Sequence, residues 1–445
     1  MSLKYSIIIP TLNEEYFLEK NLQKLKSFNG DFEIIVSDGG STDKTLSLAQ
    51  LYGSKIVNSE AGRGIQLNAG AAAATGEILI FLHADTFLPD DAFKLMDELF
   101  SSGKNQICRF LLGFDFNHKL LDLYSSFSKY DTQFTRYGDS AVIVRRIFFN
   151  ELKGFSDRNI FEDTEFFTRA SKKSKVVILN SYVSSSARRF IKDGVIRRQL
   201  FNTFLFAGYI LDVSENSLSR MYNRTLDQMK TNSIIVFVRN PEAGEVKTRL
   251  AKTTSDKFAL GFYKSCAENI IKKIKKIQHL NRFIFYSNKK DKDDVIKWLG
   301  SKFFFSAQEG SDLGARMKNA FEKVFSTGAD KVIIIGSDIP DLSTEIINKA
   351  FAYLDSSDVV IGPSKDGGFY LLGMKKMYYE LFEGIEYSTA KVFSETLAKI
   401  KELKLSCQLL PELQDIDTEE DLIRWLNEST ENNIKKEIKL AYETI

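Results

Sequence analysis

The sequence is short of cysteine, proline and net charge, and each shortage excludes a class of protein. Only 3 of its 445 residues are cysteine, and Cys108, Cys266 and Cys407 form no Cys-x-x-Cys pair. That pattern excludes a zinc ribbon and a disulfide framework, and it suits a reducing cytoplasm. With 6 prolines and 26 glycines the chain is not collagen-like. A net charge of +2, from 61 basic and 59 acidic residues, provides no electrostatic basis for binding nucleic acid.

Long apolar runs are missing as well. No run reaches the roughly 18 apolar residues that a membrane span needs, and the candidate at 200–211 is interrupted by Asn202, Thr203 and Gly208. The first residues lack the pattern of an export signal. We therefore expect a cytoplasmic protein without a transmembrane segment. Basic residues just before 200–211 leave two alternatives for that segment: contact with the inner membrane face, or packing on another domain.

The apolar residues that are present follow an alternation of strands and helices. Residues 1–110 alternate short β-branched runs with amphipathic segments, and a second series of the same kind begins at residue 233. Such alternation predicts parallel sheets built by helical crossovers. At about 100–200 residues per domain, the length also fits two or three domains. We predict two domains, 1–228 and 229–445.

Acidic turns follow three strands of the first series. Residues 10–15 read PTLNEE, 37–43 read SDGGSTD and 83–86 read HADT. In an open α/β sheet the ligand crevice lies at the carboxyl ends of the strands. Each turn alone is typical of a plain turn or a helix cap. Three such turns in succession favour a binding site.

These turns resemble the family 2 glycosyltransferases of GT-A fold, and the resemblance covers residues 1–220. The segments FLHADT, YGDSAVIVRR (137–146), FEDTE (161–165) and SARRF (186–190) are similar to one subgroup. That subgroup is the radical-SAM/selenodomain-associated transferases, also labelled arsenosugar biosynthesis glycosyltransferases. The resemblance implies transfer of a sugar from a nucleotide-sugar donor to an acceptor hydroxyl with inversion.

The resemblance also implies roles for individual residues. Asp163 is the expected general base within the catalytic pair Glu162-Asp163, with Glu165 as the second candidate. The family's metal-binding Asp-x-Asp has His83 in its first position here, so Asp85 is the expected ligand of Mg²⁺ or Mn²⁺. The expected donor-binding residues are Pro10, Thr11, Asn13, Glu14, Asp38, Ser41, Asp43, Gly62, Arg63, Gly64, His83, Arg188 and Arg189.

Three of these assignments have a purely structural alternative. Arg63 is also typical of a solvated loop, and His83 of a histidine packed beside a sheet. The pair Glu162-Asp163 is equally typical of carboxylates at a helix N-terminus.

The second series carries its own motifs at 237–250, 308–316, 336–340, 362–370 and 415–421. The first contains a glycine with a lysine and an arginine two apart, which has the form of a phosphate cradle. It is not a P-loop, because the GxxxxGK[ST] spacing is absent. Residues 232–430 resemble the partner radical-SAM/selenodomain-associated transferase. More distantly they resemble cofactor guanylyltransferases and CMP-sugar synthetases, although their full Gly-x-Gly-Thr-Arg loop is lacking.

That resemblance implies a second nucleotide site. Asp338 and Asp417 would hold a divalent cation, Lys247 and Arg249 would bind phosphates, and Asp366 with Gly367 would lie near the base or sugar. The expected nucleotide-binding set is Gly244, Lys247, Arg249, Gly314, Asp366, Gly367 and Gly368. Helix capping by Asp417 and a hairpin turn at 366–367 are the structural alternatives.

Together these resemblances predict an α/β protein with two GT-A-like (Rossmann-like) nucleotide-diphospho-sugar transferase domains in tandem. The first would be a glycosyltransferase acting on a small-molecule acceptor, and the second would make or handle the activated donor. Two alternatives stay open. The second domain is a non-catalytic nucleotide-binding module, or the first glycosylates a lipid at the membrane surface.

Overall fold

The computed structural model describes residues 4–133, 135–136, 138–158, 160–211, 213–224, 232–429 and 433–444. The chain forms two compact units, Met1–Asp115 with Lys119–Asp227, and Phe116–His118 with Gln228–Ile445. The predicted boundary at 228/229 lies outside the described residues, as does Tyr137 of the predicted motif at 137–146.

The first unit contains an eight-stranded sheet flanked by helices. Its strands are β1 (Tyr5–Thr11), β2 (Phe32–Asp38), β3 (Lys55–Asn58), β4 (Ile78–Phe81), β5 (Thr86–Phe87), β6 (Ile107–Phe114), β7 (Val142–Arg145) and β8 (Val176–Ser185). Its helices are α1 (Glu15–Lys26), α2 (Thr45–Leu51), α3 (Arg63–Ala73), α4 (Ala92–Phe100), α5 (Lys119–Ser126), α6 (Arg146–Glu151), α7 (Glu162–Ser171), α8 (Arg188–Asp193), α9 (Val195–Ile210) and α10 (Glu215–Arg224). Short 3₁₀ turns cover Phe127–Lys129 and Gly138–Ser140.

The strand order of this sheet is β3-β2-β1-β4-β7-β6-β8-β5. Strands β1, β2, β3 and β4 are parallel, as predicted, and the register places Thr11 opposite Asp38. Beyond β4 the sheet is mixed, because β7 runs antiparallel to both β4 and β6. Along β1, Ile7 and Ile9 enter one core and Ile8 the other. The sheet is therefore covered on both faces, which explains its continuous apolar strand.

The second unit contains a seven-stranded sheet in the order β11-β10-β9-β12-β14-β13-β15. Its strands are β9 (Asn232–Val238), β10 (Leu280–Tyr286), β11 (Phe304–Ala307), β12 (Lys331–Ile335), β13 (Val359–Pro363), β14 (Phe369–Met374) and β15 (Cys407–Leu409). Its helices are α11 (Thr248–Thr253), α12 (Asp256–Lys276), α13 (Lys292–Leu299), α14 (Leu313–Phe325), α15 (Thr344–Tyr353), α16 (Val392–Glu402), α17 (Glu419–Glu428) and α18 (Asn433–Tyr442), with 3₁₀ turns at Lys289–Asp291 and Tyr379–Phe382.

Strand direction again departs from a wholly parallel sheet at one place. Strand β14 is antiparallel to β12 and β13, while β9 is parallel to both β10 and β12. The two sheets with their flanking helices confirm the predicted α/β class. In the part of the chain that the structure describes, no helix has both the length and the hydrophobicity to cross a bilayer.

Candidate active site and candidate metal centre

The turns that follow β1 and β2 are bound to each other. The amide of Asn13 donates to the Ser41 hydroxyl at 2.8 Å, and the Asn13 side-chain oxygen accepts from the Thr42 amide at 2.8 Å. Two residues further along each segment, the amide of Glu15 donates to the Asp43 carboxylate at 3.1 Å. Asn13, Ser41 and Asp43 thus fix the shape of this edge, and their predicted contact with a donor stays a prediction.

Asp38 is the centre of the second turn. One carboxylate oxygen accepts from the hydroxyls of Thr11 at 3.0 Å and Ser41 at 2.5 Å, and the other accepts from the amides of Gly40 and Ser41. Burial alone would raise the pKa of Asp38, but these hydrogen bonds lower it. The side chain is buried and faces its own turn. Its predicted contact with the donor remains a prediction, as does that of Pro10.

Arg188 joins the first and third turns. Its guanidinium donates to both carboxylate oxygens of Glu14, at 2.9 and 2.6 Å, and lies 3.0 Å from Asp85. It also stacks 4.8 Å above the Phe17 ring. The predicted metal ligand Asp85 is therefore paired with an arginine. Among the described residues of the first unit, no group of three carboxylate, imidazole or thiol side chains lies close enough to hold a metal ion.

His83 is oriented by an acidic residue that the sequence analysis did not select. The Nδ1 atom of His83 lies 2.8 Å from a carboxylate oxygen of Asp139. The surroundings of Asp139 would raise its pKa by desolvation, but the contact with His83 and the charges of Arg63 and Arg189 lower it. Asp139 lies within the quoted motif at 137–146. Only the tertiary fold brings it to His83.

Glu162 and Asp163 occupy the first turn of α7 but differ in access. Glu162 is 1% exposed, and neither carboxylate oxygen has a hydrogen-bond partner among the described atoms. Its nearest cation is Arg63, at 3.8 Å. Burial and the charge of Asp163, opposed by Arg63, raise the pKa of Glu162 to about 7. Asp163 is only half-buried and one oxygen accepts from the Thr164 amide at 2.6 Å.

The second candidate base is already paired. Glu165 receives two hydrogen bonds from Arg169, at 2.6 and 2.8 Å, one turn along α7. A carboxylate held in this bidentate pair is a poor proton acceptor. Of the three acidic residues in this turn, Glu162 is buried and Glu165 is held by Arg169, whereas Asp163 is half-buried, so Asp163 stays the expected base.

The buried carboxyl of Glu162 predicts an unusual pH dependence of stability. Because its folded pKa of about 7 lies above the usual 4.5, the folded state holds this proton more tightly, and stability falls as pH rises from about 4.5 to 7. We expect Glu162→Gln to be more stable than the natural chain by up to about 3 kcal/mol at pH 8 and equal to it near pH 4.5. Thermal unfolding at both pH values measures this, with Glu165→Gln as the control that gains nothing. Equal responses of the two variants would contradict the prediction.

Arg63, Arg188 and Arg189 lie close enough for their charges to act on one another. The pKa of Arg189 is lowered to about 10 by burial and by the charges of Arg63 and Arg188, against the attraction of Asp85 and Asp139. Arg189 also donates to the Tyr222 hydroxyl. Crowded guanidinium groups of this kind are stabilised by an anion, and phosphate oxygens match their geometry.

The glycines around Arg63 have structural roles. Gly62 precedes α3 with φ of 155°, a value that favours glycine. A Cβ atom on Gly64 would lie 2.3 Å from the Ser156 carbonyl oxygen, so the close approach that Gly64 permits is to its own chain. The predicted contacts of Gly62, Arg63 and Gly64 with a donor stay predictions, and Arg63 lies at the start of the helix, where an anion is favoured.

In the second unit, Lys247 lies among three carboxylates. Its ammonium is 2.9 Å from Asp338, 3.0 Å from Asp415 and 2.6 Å from Asp417. The Lys247 side chain is 4% exposed, and these charges raise its pKa despite burial. Lys247 was predicted to bind phosphate, but its ammonium is enclosed by these three carboxylates. Asp415 was missed, because an Asp-x-Asp pair does not reveal which side chain points inward.

These carboxylates fit a divalent cation. One oxygen from each of Asp338, Asp415 and Asp417 lies within 4.8 Å of the others, and carboxylate oxygens are the ligands that Mg²⁺ and Mn²⁺ prefer. Burial and the charge of Asp338, opposed by Lys247, raise the pKa of Asp415 to about 7. Arg249 lies 3.8 Å from Asp417 and is 75% exposed, which leaves it accessible to phosphate.

A cavity of about 690 Å³ in the second unit is lined by Arg239 and Arg316 together with aromatic residues. The amide of Arg239 donates to the Tyr263 hydroxyl at 2.7 Å, and the same hydroxyl accepts from Ser337, the residue before Asp338, at 3.2 Å. The cavity lining is thus joined to the carboxylate cluster. Gly314 allows the ring of Tyr387 to pack closely, because a Cβ there would lie 2.0 Å from that ring, and its predicted contact with a nucleotide stays a prediction.

The other predicted nucleotide-binding glycines, Gly244, Gly367 and Gly368, lie in turns. Gly367 has φ of +89°, and its amide donates to the Ser364 carbonyl at 3.1 Å. The amide of Gly368 donates to Asp366 at 3.0 Å. Residues 366–368 are thus the tight turn between β13 and β14, which was the structural alternative. Gly244, with φ of +81°, belongs to an exposed turn before α11.

Comparison with known proteins separates the two halves of the chain. Residues 6–142 match the family model Glycosyl transferase family 2. Residues 270–389 match the family described as "Uncharacterized protein conserved in bacteria (DUF2064)".

Individual relatives resemble the first half. A PGL/p-HBAD biosynthesis glycosyltransferase of Mycobacterium bovis (strain BCG / Pasteur 1173P2) is 39% identical over 92 residues, 19% of this chain and 36% of that protein. This chain thus spans about a third of the length of that curated relative.

Two solved structures are also similar. One, from Desulfovibrio desulfuricans G20 and assigned as a nucleotide-diphospho-sugar transferase, is 33% identical with a TM-score of 0.46, covering 48% of this chain and 98% of that one. The other is glucosyl-3-phosphoglycerate synthase from Mycobacterium tuberculosis in complex with Mn²⁺, UDP-glucose and phosphoglyceric acid. It is 20% identical with a TM-score of 0.34, and the match covers 41% of this chain and 71% of that chain. The family models show that the chain carries a family 2 glycosyltransferase domain in its first half and a DUF2064 domain in its second.

Proposed function

We propose that the first unit transfers a sugar from a nucleoside-diphosphate sugar to an acceptor hydroxyl, with inversion. The observation that carries this proposal is the closeness of Arg63, Arg188 and Arg189 to one another, with the half-buried carboxylate of Asp163 near Arg63. An anionic leaving group and a hydroxyl nucleophile need these two kinds of side chain, a cationic clamp and a base.

In the proposed step, the acceptor oxygen attacks the anomeric carbon and its proton passes to Asp163. The bond between that carbon and the diphosphate oxygen breaks, and the nucleoside diphosphate leaves with the electron pair. Arg63, Arg188 and Arg189 stabilise the charge that develops on it. Because Asp85 is a single carboxylate already paired with Arg188, no part of this step is assigned to a metal. The closer subgroup resemblance, to the radical-SAM/selenodomain-associated transferases, remains a prediction.

Binding of the free product tests the donor site. We expect Arg189→Ala to weaken binding of UDP or GDP about 10- to 100-fold, because a charge-assisted hydrogen bond contributes about 1.5–3 kcal/mol. Isothermal titration of the full chain measures the Kd values. The matched control is Arg197→Ala, an exposed arginine on α9. Equal affinities of the two variants would contradict the proposal.

We propose that the second unit binds a nucleoside triphosphate with a divalent cation and makes the activated donor. The observation that favours it is the cluster of Asp338, Asp415 and Asp417 beside a cavity that contains two arginines. A sugar phosphate oxygen would attack the α-phosphorus, the α–β phosphoanhydride bond would break, and pyrophosphate would leave. A bound cation would offset phosphate charge.

Covalent linkage would raise the concentration of this donor near the first unit. The alternative for the second unit is a nucleotide-binding module without turnover. The cation site in this proposal is tested by the response of Lys247→Met to divalent cations.

A further inference from the structure

An apolar groove of about 650 Å³ crosses the surface of the first unit. One wall is α5 with the residues that follow it, and the other is α8 and the first half of α9. Its lining includes Leu123, Phe127, Tyr130, Phe190, Ile196 and Leu200. Leu123 is 55% exposed, Ile196 63% and Leu200 66%. Large apolar side chains left together in water mark a binding surface.

Both walls of the groove are continuous with the candidate active site. In α8, the lining residue Phe190 directly follows Arg189. On the other wall, Thr135 lines the groove, and the carbonyl of the next residue, Arg136, accepts a hydrogen bond from the Thr164 hydroxyl at 3.3 Å. Thr164 follows Asp163 in α7. The inner end of the groove is therefore tethered to the arginine cluster on one side and to the proposed base on the other.

The size of the groove favours a single small molecule. Arg198 is 7% exposed and lies 3.2 Å from Asp193, but Lys192 and Arg197 beside it are exposed. Exposed basic residues beside an apolar face also suit anionic lipid, so a membrane surface is one outcome of the test. The volume falls within the range of about 300–1,000 Å³ for small-molecule sites.

We propose that this groove binds the apolar body of the acceptor, a single alcohol or phenol molecule whose alkyl or aryl part lies between α5 and α9. The hydroxyl end then points along the tethered inner end toward Asp163. This inference rests on the proposed function of the first unit, and it identifies the chemical class of the acceptor.

Binding of n-alkan-1-ols from butan-1-ol to decan-1-ol tests the groove without requiring the natural acceptor. We expect the Kd for the full chain, measured by saturation-transfer NMR, to fall about two- to fourfold per methylene, since each buried CH₂ contributes about 0.8 kcal/mol. The double variant Ile196→Glu/Leu200→Glu should lose decan-1-ol binding at least about tenfold, because it places two charges in the apolar wall. UDP and GDP affinities should not change.

The control is Leu211→Glu, which places the same charge at an exposed leucine (77%) at the end of α9, outside the groove. An equal loss in Leu211→Glu, or affinities independent of chain length, would overturn the inference. Binding to phosphatidylglycerol vesicles without binding of dissolved alcohols would also overturn it, in favour of a membrane surface. Alcohol binding with the expected pattern but no binding of UDP or GDP would support the groove and contradict the donor site instead.

Discussion

Asp163→Asn is expected to lower kcat for sugar transfer about 10²- to 10⁴-fold, the usual contribution of a general base. The Kd for UDP or GDP should stay within about twofold, because the role proposed for Asp163 is contact with the acceptor hydroxyl and not with the diphosphate. Initial rates of nucleoside diphosphate release, with the donor that the full chain binds and decan-1-ol as acceptor, measure the first quantity. Titration calorimetry measures the second. A large change in Kd with unchanged kcat would contradict the assignment.

Two neighbouring carboxylates provide matched controls for this variant. Glu165→Gln removes a carboxylate of the same helical turn that is held by Arg169, so we expect it to retain most of kcat. Glu162→Gln alters a residue that is 1% exposed. It should affect kcat less than Asp163→Asn, because its carboxyl cannot reach an acceptor. A larger loss in Glu162→Gln than in Asp163→Asn would transfer the role of base to Glu162.

Lys247→Met is expected to destabilise the second unit by about 3–5 kcal/mol in EDTA at pH 8, because removing one partner of a buried ion pair leaves uncompensated charge. Three carboxylates would lose the ammonium that lies within 3.0 Å of each. Millimolar Mg²⁺ or Mn²⁺ should restore much of this loss, since a ligand bound only by the folded state stabilises it. Thermal unfolding with EDTA and with each cation measures both effects.

A second buried lysine provides a control that distinguishes cation binding at the carboxylate cluster from nonspecific stabilisation by divalent cations. Lys331 has a side chain 9% exposed, and it contacts Asp355 at 2.6 Å and the Phe351 carbonyl at 2.9 Å. Lys331→Met should also be less stable, but a single carboxylate that is 58% exposed offers no site for a cation. Divalent cations should therefore not restore it. Equal recovery of both variants, or of neither, would contradict the proposed metal centre.

Residues at the ends of parallel strands were the most predictable part of the site. The strand and helix pattern of residues 1–110 places the segments after β1, β2 and β4 at one edge, and the register of Thr11 against Asp38 agrees with that expectation. Pattern could not reveal how each side chain is used. Asp38 and Ser41 bind each other within a turn, while Glu14 reaches Arg188, 174 residues away.

The sequence by itself determined the α/β class, the two alternating series and the acidic turns, because these depend on short-range periodicity and on turn chemistry. Only the tertiary structure decided strand direction in β7 and β14, the pairing of Asp139 with His83, and the enclosure of Lys247 by three carboxylates. Each of these depends on contacts between distant segments, and their energies come from burial and from charges that meet only after the chain has folded. The apolar groove belongs to the same group, because α5 and α9 form its walls only in the folded first unit.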